Sequence, residues 1–142
     1  MDLARLIGYP DSCERALAAI MHDMQGSKAR PSSAHRKEGY AMYVSRLTFH
    51  TLPGKTKAVE QELQTLKAMV NKVGGLRPRV LHNHFASLGA PDVVFEQDAP
   101  DLETLEVQIK QVTDGTEFKR WTEHMSGLLA QSPKREVYLI VE

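Results

Sequence analysis

Cysteine is almost missing from this chain of 142 residues: Cys13 stands alone. A single thiol excludes an internal disulfide framework and a cysteine-ligated zinc site, and its scarcity is the usage expected of a reducing, cytoplasmic setting. Charge of one sign is missing too. Eighteen basic residues balance eighteen acidic ones, so no overall field favours nucleic acid or an anionic membrane, and neither is expected as a partner. No run is long and apolar enough to span a bilayer, and the first residues lack the basic stretch followed by an apolar one that marks a secretory leader. No dinucleotide fingerprint or phosphate loop is present, because Pro53-Gly54-Lys55-Thr56 lacks the upstream glycine of a Walker loop.

What is present reads as one domain with an appendage. Apolar residues make up 42% of the chain, enough to build a core. Residues 1–39 differ in character from the rest. Ala16, Leu17, Ile20 and Met24 suit a short amphipathic helix, and residues 25–39 are polar, basic and broken by Pro, Gly and Ser, which is linker composition. The compact domain is expected over 40–142. Deleting residues 1–39 is therefore expected to leave a folded dimer by size-exclusion chromatography; aggregation or monomers would show that the arm belongs to the fold.

Hydrophobic periodicity then orders the elements. Tyr40–Leu52 has strand composition and alternation, stopped by Pro53-Gly54. Lys55–Val73 carries Val59, Leu63, Leu66, Val70 and Val73 at helical spacing and ends at Gly74-Gly75. Leu76–Leu88 reads as a second strand and Asp92–Gln97 as a third, paired as a hairpin through Gly89-Ala90-Pro91. Pro100-Asp101 opens a helix with Leu102, Leu105, Ile109 and Val112 on one side. A further helix over about 116–130 carries Phe118, Trp121, Met125 and Leu128. Glu136–Val141 is the last strand. The order is the α+β, ferredoxin-like β-α-β-β-α-β arrangement, with helices over one sheet face. The other face needs a cover, and a second copy about a two-fold axis supplies one.

The segments Leu47–Lys55, Val93-Val94-Phe95-Glu96, and Gly115–Trp121 leading into Arg135-Glu136-Val137-Tyr138 resemble the dimeric α+β barrel proteins of the antibiotic-biosynthesis-monooxygenase-like and NIPSNAP-like kind, over about 40–142. That resemblance implies a homodimer. It also implies a range of activities: cofactor-independent oxygenation of aromatic substrates, haem degradation, isomerisation, or none known. The haem-degrading members resemble one another in a histidine four residues after a phenylalanine in the late helix. Counted from Phe118, this chain has Thr122 there, with His124 further on, so no haem and no other cofactor is expected.

The candidate site follows from strand alternation. His82 and His84 point the same way on one strand, with Cα atoms roughly 6.6–6.8 Å apart. If they share the open face with Arg46, Thr48 and His50, and with Glu96 and Tyr138 from neighbouring strands, a polar patch lies inside the barrel made by two copies. His82, His84 or His50 is then the general base, Arg46 and Glu96 hold a small, partly aromatic, acidic ligand, and Tyr138 donates to a developing oxyanion. The bland alternative is that these groups pair with one another across the dimer interface. A histidine metal site has a suitable His-x-His pair but no matching spacing beyond it, so no metal is expected. His35, in the linker, and the charges of Lys55–Lys72 read as solvated.

Overall fold

The computed structural model describes residues 42–141. Four strands and three helices follow one another in it as β1 (Tyr43–Phe49), α1 (Thr56–Lys72), β2 (Leu76–His82), β3 (Val93–Ala99), α2 (Leu102–Thr113), α3 (Thr116–Ser126) and β4 (Lys134–Leu139). This is the ferredoxin-like order with its second crossover helix split in two. The sheet order is β2-β3-β1-β4, every neighbouring pair antiparallel. The residues 1–39 read above as a helix and linker lie outside the described residues.

Local chemistry explains the element ends. The apolar spacing along α1 buries Val59, Leu63, Leu66, Met69 and Val70, and the helix stops where Gly74 takes a φ of 83°, which a residue bearing a Cβ adopts at a cost. At Gly75 a Cβ would lie 2.3 Å from Val70 Cγ1, so only glycine lets the chain turn back so tightly. Asp101 caps α2 by accepting from the Thr104 N–H at 2.6 Å. Trp121 of α3 is core, 3% exposed. It stacks on Phe118 and donates from Nε1 to the Glu62 carbonyl of α1 at 2.7 Å, tying α3 to α1.

Alternation sorts the sheet. Ser45, Leu47 and Phe49 of β1 are buried beneath the helices, with Val93 and Phe95 of β3 beside them in register. Phe49, Val59, Leu63, Leu105, Met125 and Leu129 are shut off from solvent at the centre of this layer. Val44, Arg46 and Thr48 take the opposite face, which no described element covers. Two strands end where the sequence did not place them. The second stops at His82 instead of running to Leu88: Asn83 makes a last cross-strand bond, its N–H donating to the Asp92 carbonyl, and its Nδ2 then donates to the Pro91 carbonyl at 2.7 Å. The last begins at Lys134, two residues before the dense run of β formers.

Candidate functional site

The open face carries a cross-strand ion network. Register places Arg46 opposite Glu96, and Glu96 opposite Arg79. Arg46 donates from Nε to Glu96 Oε2 at 2.7 Å, and Arg79 donates from Nε to Glu96 Oε1 at 3.0 Å. Arg79 also reaches Asp98 Oδ1 with both terminal nitrogens at 3.2 Å, and Arg77 Nη2 lies 2.7 Å from Asp98 Oδ2. Both carboxylate side chains are almost sealed, 6% exposed for Glu96 and 3% for Asp98. Three guanidinium groups thus enclose two carboxylates, which satisfies the lone pairs that burial would otherwise strand.

Tyr138 joins the edge of this network. Arg46 Cζ sits 5.5 Å from its ring centroid, a cation–π arrangement. Its hydroxyl donates to Glu136 Oε2 at 2.6 Å. That bond first, then desolvation and the Glu136 charge, push the Tyr138 phenol up from its ordinary range, while Arg46 pulls the other way. Arg46, Glu96 and Tyr138 therefore share the face the alternation gave them.

The histidines do not join them. Val80 is opposite Phe95 and His82 opposite Val93, both on the helix-facing side. The expected parity of β2 is thus reversed: Val80 packs against the core, and Arg79 and Leu81 take the open face. His82 Nδ1 pairs with Glu60 of α1. His84 lies in the exposed β2–β3 loop with its ring edge-on to Phe85 at 4.6 Å. His50 follows the end of β1, half-buried, its carbonyl accepting from the Ala130 N–H at 2.8 Å. The structure brings no two of His50, His82 and His84 together, and no group of three or more metal-ligating side chains occurs among the described residues.

A second feature lies beneath the helices. A cleft between the sheet and α1–α2 is lined by apolar side chains, Leu47, Phe95, Val70 and Val112 among them, with Gln97, Gln108 and Arg135 as its polar members. Its free space is about 20 Å³, room for one water. Gln97 Nε2 donates to Gln108 Oε1 at 3.3 Å, and Gln108 Nε2 to the Gly74 carbonyl at 3.2 Å. Arg135 stands opposite Leu47 on the helix-facing side of β4, and burial pushes its guanidinium down from its ordinary range to about 10.

No family model matches the chain, and no curated protein matches it. Solved structures do. A NIPSNAP family protein from Agrobacterium tumefaciens superposes with a TM-score of 0.57 at 11% identity, covering 75% of this chain and 91% of that one. A candidate antibiotic biosynthesis monooxygenase from Nitrosomonas europaea gives 0.54 at 16%, covering 74% and 94%. A dimeric protein of unknown function and ferredoxin-like fold from Bacteroides fragilis gives 0.52 at 11%, covering 70% and 96%. The chain has their fold. At these identities the likeness extends to architecture and no further. No helix among the described residues is long and apolar enough to cross a membrane.

Sequence reasoning missed Arg79, Asp98, Gln97, Gln108 and Arg135. Two signals were there to find. Asp98 lies two residues beyond Glu96 on the same strand face, and Arg135 shares the parity of Val137, which packs against the core.

Proposed function

We propose that the protein works as a homodimeric α+β barrel that takes a small, partly aromatic anion into the cleft beneath α1 and α2. We propose further that its activity is cofactor-independent oxygenation of an electron-rich enol or phenol. One observation carries the reading: Gln97, Gln108 and Arg135 converge on an otherwise apolar cleft, the composition of a small-molecule site. The open-face charges already satisfy one another, so in this reading they serve the interface, and the ligand goes to the other side of the sheet. The monooxygenase description of the Nitrosomonas europaea structure and the dimeric one of the Bacteroides fragilis structure agree with it. A ring-sized ligand requires the helices to part from the sheet, since the closed cleft has room for one water only.

Binding without turnover is the second reading, and one observation favours it: no His, Asp or Glu lines the cleft to act as a base. Thermal shift against a panel of phenols, quinols and 1,3-diketones, with oxygen uptake recorded on every ligand that stabilises the fold, separates the two. Stabilisation with uptake supports the oxygenase. Stabilisation alone supports the binder, and neither removes the cleft as a site.

A further inference from the structure

The orientation of Gln97 is fixed by its neighbours. The Gly74 carbonyl only accepts, so Gln108 presents Nε2 to it and turns Oε1 toward Gln97. That oxygen also only accepts, so Gln97 donates through Nε2. The two amide assignments, ordinarily interchangeable, are thereby reduced to one. Gln97 is 5% exposed on the helix-facing side of β3 and lines the cleft. Its Oε1 accepts no hydrogen bond among the described residues. Gln97 Oε1 is not among the side-chain atoms sealed from solvent without a partner, so it opens to the cleft where a water or an incoming molecule can meet it. Arg135 is two strands away across β1 and two residues out of register, since Gln97 stands opposite Ser45 and Arg135 opposite Leu47, a backbone separation of about 12 Å.

We propose that the ligand of this cleft carries a hydroxyl group that donates to Gln97 Oε1. At the other end of its short apolar body it carries an anionic oxygen that accepts from Arg135. This rests on the cleft reading above and narrows its substrate class to hydroxylated, mostly apolar acids. Gln97 is then the residue that sets specificity, and Gln108 with the Gly74 carbonyl positions it. A ligand without the hydroxyl shuts water away from that acceptor and leaves it unmet, the situation in which polar recognition discriminates most strongly.

Calorimetric titration of the full chain with para-hydroxybenzoate and with benzoate tests the assignment. The wild-type protein is expected to bind the hydroxy acid about tenfold more tightly or better. Gln97→Met, of similar length and with no acceptor, is expected to bind both acids alike, because benzoate no longer leaves an acceptor unmet and the hydroxy acid loses its partner. Gln108→Leu, which frees the Gln97 amide to turn, is expected to shrink the preference and carries the test if Gln97→Met fails to fold. Equal wild-type affinities, or a preference that survives substitution in a folded variant, overturn the assignment while leaving the cleft as a site. Binding of neither acid overturns the cleft reading and this inference with it.

Discussion

Glu96→Ala is expected to melt about 10 °C or more below the wild type. Glu96 is held from both sides, by Arg46 on β1 and Arg79 on β2, and its removal leaves two guanidinium groups facing each other over the space it filled. Removing one partner of a buried pair costs about 3–5 kcal/mol when the survivor is sealed from water. Here Arg46 and Arg79 keep 41% and 36% of their side-chain surface, so water recovers part of the loss and about 2 kcal/mol remains. For a domain near 100 residues that is about 10 °C. Circular dichroism melts at low and high salt check it, with little salt dependence expected because the carboxylate is buried. A shift of only a few degrees would show that the arginines hold the sheet together without it.

Val94→Arg is expected to convert the proposed dimer to a monomer without unfolding it. Val94 is half-buried on the open face, in register with Thr48 on one side and Leu81 on the other. Leu81 is 39% exposed and Tyr138 47% exposed there, apolar surface that the second copy of the proposed dimer would cover. About a two-fold axis each copy contributes the same patch, so one substitution places two unpaired cations in the contact. Several kilocalories of desolvation then oppose association, enough to move the dissociation constant by about a thousandfold. Size-exclusion chromatography with light scattering across a dilution series reads it directly. A dimer that persists with unchanged affinity would move the interface to another surface.

The element order and α1 were legible because their signals are redundant. Val59, Leu63, Leu66 and Val70 allow only one buried face, and Arg46, Glu96 and Tyr138 sit on strands whose other parity is plainly apolar. β2 offered no such vote. Past the slip between Leu76 and Arg79, its two parities each hold one aliphatic residue, Val80 and Leu81. Which one packs inward is settled by the register with β3, where Phe95 faces the helices and draws Val80 with it. That single choice moved His82 to the far side of the sheet. The length of the strand was misjudged for a related reason: residues 83–88 have strand composition, but the loop they form projects Phe85 and Leu88 into solvent. Gln97 and Arg135 were invisible as a pair because the features joining them, the β1 strand between and the Gly74 carbonyl beyond, are tertiary.

β2 also determines how copies of this sheet do not associate. Between Leu76 and Arg79 the register with β3 slips, Arg77 takes a φ of 45°, and Pro78 brings no N–H to the strand. An incoming strand laid along this rim meets a kink and a missing donor, so the rim makes a poor template. Head-to-tail ribbons that join the β2 rim of one molecule to the β4 rim of the next lose one of their two ends. Growth by that route stops at its first step, and concentrated solutions of the folded protein should stay free of fibres.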